Sequence, residues 1–235
     1  MAVPDAADRL IFALDVPDLA AARVLIDRLE GVVGFYKLGL ELFMAGAGFT
    51  LLDELVRRRK QVFVDLKFFD VPATVGRAVA QLADRGATFT TVHGNQAMME
   101  AAVAAAGPLQ ILAVTALTSL DRGDLDDLGF DCDPTALVVS RARRALEAGC
   151  AGVVASGMEL TAIRAALDAH LLVVTPGVRP VDNRAEDDQK RIVTPHAAIT
   201  QGADYLVVGR PIRDAADPAG AARRIQREIA AAAAD

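Results

Sequence analysis

Short apolar, β-branched runs recur along the chain at residues 10–14, 33–38, 61–66, 88–92, 109–117, 152–155, 171–175 and 204–208. Each has the length of a buried strand. Between them the period changes. Segments 51–59, 75–83, 97–106, 135–148, 158–169 and 221–233 carry Leu, Val, Ile or Ala on one side and charges on the other, which predicts amphipathic helices. Arg85-Gly86-Ala87, Ala148-Gly149-Cys150 and Gln201-Gly202-Ala203 each place a glycine where a left-handed helix end precedes the next strand. Strands that alternate with helices lie parallel, because each helix carries the chain back across the sheet. Eight such units in 235 residues predict an α/β protein, a (β/α)8 TIM barrel with parallel strands, as one domain over 1–235. A doubly wound open sheet is the competing architecture. The first strand, however, runs into Asp15-Val16-Pro17-Asp18 rather than a glycine-rich phosphate loop, and no linker or shift of composition marks a boundary.

With 53% apolar and 24% charged residues, the chain has the material for a sizeable core. Twenty-five basic against 31 acidic residues give a net charge of −6 with no basic block, which argues against a grip on nucleic acid or an anionic membrane. Small molecules and other proteins remain as partners. No apolar run approaches the roughly 18–20 residues that cross a bilayer. Residues 1–8 contain no basic segment leading into an apolar one, so a cytoplasmic location is expected. Cys132 and Cys150 form no CxxC pair and lie near no histidine at metal-ligand spacing, which reads as two reduced structural thiols.

In a barrel of this kind chemistry sits at the C-terminal ends of the strands, and polar residues gather there. The strands end in turn at Asp15, at Lys37, at Asp65-Leu66-Lys67, at His93, at Thr115 and Thr118, at Ser156, at Thr175-Pro176-Gly177 and at Gly209-Arg210. Asp65 and Lys67 share a strand face with Phe63, while Val62, Val64 and Leu66 take the other. An acid and an amine inside a barrel lose solvation unless they pair, so a buried ion pair that merely closes the barrel end is the plain alternative. Asp70 follows in the same segment just before Pro72, where an acid also suits a helix N-terminus. Glu41 and Glu159 lie early in helical segments, where acids are expected, and His170 and His196 read as surface residues. At the eighth strand, Gly209 lets backbone approach a ligand and Arg210 can grip a phosphate bidentately. The polar seventh loop, with Arg179, Arg184, Gln189 and Lys190, reads as a lid or as a solvated surface loop.

The ordered set is more specific than any one motif. It comprises Ala13-Leu14-Asp15, Tyr36-Lys37-Leu38-Gly39, Asp65-Leu66-Lys67-Phe68-Phe69-Asp70-Val71-Pro72-Ala73-Thr74, Val92-His93-Gly94, Ala113-Val114-Thr115-Ala116-Leu117-Thr118-Ser119, Thr175-Pro176-Gly177-Val178-Arg179-Pro180 and Gly209-Arg210-Pro211-Ile212. Together these segments resemble the orotidine 5′-monophosphate decarboxylase family over nearly the whole chain. The resemblance implies conversion of orotidine 5′-monophosphate to uridine 5′-monophosphate (UMP) and CO2, without metal or organic cofactor. It implies that Lys67 donates the proton to C6, that Asp65 lies beside the departing carboxylate, and that Asp70 and Thr74 reach into the site of a partner subunit in a homodimer. Asp15 and Lys37 would bind ribose hydroxyls and extend the charge array, and Thr118 would sit near the base. Arg179, Gln189, Gly209 and Arg210 would serve the phosphate, with Gln201 as the alternative to Gln189. Phe69 and Val71 depart from the family's commoner residues.

The chemistry agrees with those roles. Loss of CO2 from C6 leaves an sp2 carbanion with no adjacent electron sink, so the protein must stabilise charge and deliver a proton. An ammonium at that position does both. Two other functions share parts of the pattern. One is a Mg2+-dependent keto-sugar phosphate decarboxylase or aldolase on the same barrel, with Glu41 and Asp65 as candidate ligands; the other is a non-catalytic phosphate-ligand module.

Overall fold

Each strand of this protein is covered twice, by the barrel interior on one face and by helices on the other, and for that reason its runs read as nearly continuous apolar stretches. The computed structural model describes residues 8–117, 122–129, 131–167, 170–180 and 193–234. The strands are β1 (Leu10–Ala13), β2 (Phe35–Gly39), β3 (Gln61–Phe68), β4 (Phe89–His93), β5 (Gln110–Val114), β6 (Gly152–Val154), β7 (Leu172–Thr175) and β8 (Tyr205–Val208). They pair in parallel in sequence order, and β8 returns to β1 to close the barrel.

Side-chain parity divides the core. Ile11, Ala13, Phe35, Phe63, Phe89, Leu112, Leu172, Val174, Tyr205 and Val207 fill the interior. Leu10, Phe12, Tyr36, Leu38, Val62 and Val64 point outward and join the helix-facing core. Phe89 lies 5.3 Å from both Phe35 and Tyr205 and 6.0 Å from Phe63, ring centre to ring centre. Such edge and tilted contacts add about 0.5–1.5 kcal/mol per pair beyond burial. They make a solid floor beneath the C-terminal rim.

Helix starts follow chemistry that apolar periodicity does not register. Pro72–Ala83, Pro134–Glu147 and Pro218–Ala232 each begin at a proline, earlier than the pattern predicts. The missing proline N–H is harmless at that position, and Asp133 and Asp217 cap the latter two through side-chain acceptance of backbone N–H groups. Glycines 86, 149 and 202 do take positive φ, at 78°, 81° and 107°. Two expectations change. The run 109–117 stops as strand at Val114, where the Thr115 hydroxyl donates to the Val154 carbonyl at 2.9 Å. The helix over 158–169 divides into a 3-10 turn, Gly157–Glu159, capped by Ser156, and a helix, Leu160–Ala166. Glu159 is buried rather than displayed on a solvated first turn.

Candidate active site

A cleft of about 490 Å3 opens at the C-terminal rim of the barrel, lined by Asp15, Lys37, Asp65, Lys67, Arg179 and Arg210 over a floor that includes Phe63, Val154 and Val207. Six strands contribute: β1 through Ala13 and the Asp15 that follows it, β2 through Lys37 in mid-strand, β3 and β6 directly, β7 through the segment that follows it, and β8 through Val207 and the segment beyond.

The β1–β3 side carries a row of alternating charge. Lys37 Nζ lies 3.0 Å from Asp15 Oδ1 and 3.7 Å from Asp65 Oδ2, and Lys67 Nζ lies 2.8 Å from the same Asp65 oxygen. The inner members, Lys37 and Asp65, are buried to the same degree, with 11% of each side chain accessible; Lys67 and Asp15 open to the cleft at 38% and 45%. Burial disfavours the charge on Lys37, yet Asp65 and Asp15 outweigh it and hold the ammonium above the usual lysine value. Burial likewise opposes ionisation of Asp65, but Lys37 and Lys67, with hydrogen bonds from Lys67 and Thr91, hold its carboxyl below the ordinary range. Gly39 makes room for this row, since a Cβ there would stand 3.1 Å from Lys37 Nζ and 3.2 Å from Asp15 Oδ1.

Local backbone geometry delivers Lys67. Strands β3 and β4 pair at Phe63 with Phe89 and Val64 with Thr90, then resume at Phe68 with Val92, so β3 carries two residues more than β4 in between. An even excess preserves side-chain parity, and Asp65 and Lys67 keep the inward face that alternation assigns them. The bulge places Lys67 at φ 49°, in the left-handed region. For a non-glycine residue that conformation costs about 1–3 kcal/mol and persists where surrounding structure enforces it.

The phosphate-side candidates converge as well. Arg179 is buried, and Gly209 and Arg210 line the cleft beside Pro176 and Gly177. Arg213, which no strand-end pattern marks, also lines it and donates to the Asp15 backbone carbonyl at 2.9 Å while gripping Asp214 through Nε and Nη2. Its signal was there: it follows Arg210 by one helical turn.

Other residues stand apart. Asp70 is exposed and accepts from the Val71 N–H at 2.6 Å, and Thr74 accepts from Arg77 at 3.2 Å; neither lines the cleft of its own chain. Thr118 and Gln189 fall outside the described residues. His93 stacks on Phe69 with ring centres 4.9 Å apart, and burial, Arg141 and Lys67 push its value down. Ser156 caps a turn. No group of three or more His, Cys, Asp or Glu side chains suited to a metal ion occurs among the described residues, and no described helix is long and apolar enough to cross a membrane.

Beside this cleft, an apolar groove of about 570 Å3 is lined by Leu40, Phe43, Met44, Phe49, Leu66 and Phe68. Leu40, Met44 and Phe49 are exposed, as are Phe69 and Val71 on either side of Asp70.

Comparison with known proteins places this geometry. The pattern of the orotidine 5′-phosphate decarboxylase / HUMPS family matches residues 8–225. A Methylococcus capsulatus protein named orotidine 5′-phosphate decarboxylase is 63% identical over 223 residues, covering 95% of this chain and 92% of its own. A Stenotrophomonas maltophilia protein of the same name is 52% identical over 227 residues, 96% and 94% of the two chains. Among solved structures, that of an orotidine 5′-phosphate decarboxylase from Lactobacillus acidophilus superposes with a TM-score of 0.83 at 32% identity, over 94% of this chain and 99% of its own. An uncharacterised conserved protein from Geobacillus kaustophilus gives 0.81 at 34% identity, with the same two coverages. A barrel whose rim carries the Asp15–Lys37–Asp65–Lys67 row, matched along almost its full length, belongs to the orotidine 5′-phosphate decarboxylase / HUMPS family.

Proposed function

We propose that this protein is an orotidine 5′-phosphate decarboxylase, converting orotidine 5′-monophosphate to UMP and CO2 in pyrimidine biosynthesis. The observation that carries the reading is the alternating row of Asp15, Lys37, Asp65 and Lys67, packed in a cleft that Arg179 and Arg210 also line. The cleft's volume suits a nucleotide.

In this mechanism the bond between C6 and the carboxylate carbon breaks and its electron pair stays on C6. Lys67 stabilises that pair and then transfers a proton to C6; the neutral amine regains its proton from solvent. Asp65 stands beside the departing carboxylate, disfavouring the charged ground state more than the neutral CO2. Lys37 holds Asp65 ionised and, with Asp15, binds the ribose hydroxyls. Thr118 serves the base. Arg179, Arg210, the Gly209 backbone and Gln189 bind the phosphate, far from the reacting carbon, so that remote binding energy assembles the site.

A homodimer completes this reading. Asp70 and Thr74 lie outside their own cleft, among the exposed apolar residues Phe69 and Val71 and near the groove of Leu40, Met44 and Phe49. A second copy seated there would bury that face and receive Asp70 and Thr74 in its own site. The cytoplasm is the compartment of the assembly.

The test is the ultraviolet change on mixing purified protein with orotidine 5′-monophosphate in EDTA, with the product identified by mass spectrometry. Formation of UMP is expected. Activity that vanishes in EDTA and returns with Mg2+ would replace this mechanism with the metal-dependent one, and UMP binding without turnover would make the protein a binding module.

A further inference from the structure

The bulge in β3 leaves a problem that strand pairing cannot solve. Between Val64 and Phe68 the backbone of β3 has no register partner on β4, and a buried amide without an acceptor is costly. Two consecutive threonines of β4, both fully buried, brace this stretch with their side chains. The Thr90 hydroxyl donates to the Val64 carbonyl at 2.9 Å, at the entrance to the bulge. The Thr91 hydroxyl accepts from the Lys67 backbone N–H at 2.9 Å and donates to Asp65 Oδ1 at 2.8 Å.

We propose that Thr91 is a positioning residue for the chemical step: one hydroxyl pins the left-handed backbone of Lys67 and fixes the orientation of the Asp65 carboxylate. The inference rests on the reading of Lys67 and Asp65 as the reacting pair. Its logic is the direction of the hydrogen bonds. The amide can only donate, so it occupies an acceptor site on Oγ1 and leaves the hydroxyl proton for Asp65. With Oδ1 turned to Thr91, Oδ2 faces the ammonium groups of Lys67 at 2.8 Å and Lys37 at 3.7 Å. Valine has the same shape and can do neither task; serine can do both. Asp65 also loses one of the contacts that keep it ionised when this hydroxyl goes.

Thr90 provides the control, because it too donates a buried hydrogen bond at the same bulge, but to the Val64 backbone carbonyl rather than to either side chain of the pair. Wild type, Thr91→Val, Thr91→Ser, Thr90→Val and Lys67→Ala should be compared in kcat, KM and UMP affinity. A misplacement of the reacting groups by Thr91→Val is expected to lower kcat about a hundredfold while UMP affinity stays within about threefold. Thr91→Ser should recover most of that loss, and Thr90→Val should keep kcat within about threefold of wild type. The acid edge of kcat should move to higher pH in Thr91→Val alone. The inference is overturned by a Thr91→Val enzyme within about threefold of wild type in kcat, by equal losses in Thr90→Val, or by a Thr91→Ser enzyme no better than Thr91→Val. Should Thr91→Val not fold, Thr91→Ala, which adds no bulk, takes its place under the same thresholds. An active Lys67→Ala would instead remove the reading on which this rests, whereas inactive Lys67→Ala beside active Thr91→Val removes the role of Thr91 alone.

Discussion

The two ends of the barrel spend their charges differently. At the N-terminal end, arginines terminate on backbone carbonyls. Arg9 donates to Ala203 O at 2.6 Å and Asp204 O at 2.9 Å. Arg164 donates to Gly202 O and Leu171 O and pairs with Asp204, whose carboxylate also accepts the Val173 N–H at 2.7 Å. These groups bolt β7 and β8 to the turns beneath them. At the C-terminal end, by contrast, lysines and aspartates of the cleft pair mainly with one another, and two of the four open to solvent. A charge bound to a fixed carbonyl can only stabilise the fold. A charge bound to another mobile charge can exchange its partner for a substrate carboxylate or hydroxyl, so under the proposed function the same residue types serve stability at one end and chemistry at the other.

The largest test of that division is Lys67→Ala. With both charge stabilisation and proton delivery removed, kcat should fall by about four orders of magnitude or more, while the melting temperature changes little, because Asp65 keeps Lys37 and the Thr91 hydroxyl as partners when the half-open Lys67 is removed. A large loss of stability alongside the activity would erase the contrast between the ends. The same variant probes the proposed sharing of sites between subunits. Asp70→Asn should also be nearly inactive, yet subunit exchange between the two variants creates hybrids in which one of two sites has both Lys67 and Asp70. Random exchange at equal amounts should recover about a quarter of wild-type activity; demonstrated exchange without recovery would sink the role of Asp70 across subunits.

How much of this was legible beforehand differs between the ends too. The barrel follows from eight apolar runs separated by helical periods, and Asp15, Lys37, Asp65, Lys67, Arg179 and Arg210 announce themselves as charges at strand ends. Thr91 does not. Its importance arises from the two-residue excess in β3, which parity conceals because an even insertion leaves every side chain on its expected face. The signal available was a pair of adjacent threonines between Phe89 and Val92 in a run that reads as a strand. Arg213 and the short helices Leu40–Met44 and Arg210–Arg213 escape periodicity because they span about one turn. The bolt at the N-terminal end was equally hidden: Arg164 reads as the charged face of a helix, and its carbonyl partners come from tertiary placement alone.

Breaking that bolt gives the next effect in size. Arg164→Ala strands the partly buried Asp204 carboxylate and leaves the Gly202 and Leu171 carbonyls without their donor. A loss of about 2–4 kcal/mol is expected, less than for a fully buried pair because both side chains retain some exposure. For a chain of this size that corresponds to a fall of roughly 5–15 °C in Tm. The kcat of the remaining folded enzyme should be unchanged. A Tm within about 2 °C of wild type, or a specific loss of kcat, would show that the two ends are not separable in this way.

The smallest expected effect is the near absence of one. Asp65 is held below its ordinary value, so its stabilising contribution is complete above about pH 4 and is lost only as pH falls through its folded value. Lys37 is held above its own, so its contribution is complete below about pH 10.5 and is lost only as pH rises through its folded value. Neither group titrates between those limits, and kcat should stay constant within about twofold from pH 5.5 to 9. The specificity ratio kcat/KM should nevertheless decline below about pH 6, where a substrate phosphate monoester gains its second proton and binds the arginines less well. Thermal stability adds a separate, slight dependence. His93 is held below its ordinary value by burial, Arg141 and Lys67, so the stability linked to it is complete above about pH 6.5 and declines as pH falls. Thus Tm should begin to drop below about pH 6.5 while kcat does not, and His93→Gln should flatten the Tm curve. A wild-type kcat with a midpoint between pH 6 and 8 would mean that the charges of the C-terminal rim are not locked to one another as their distances imply.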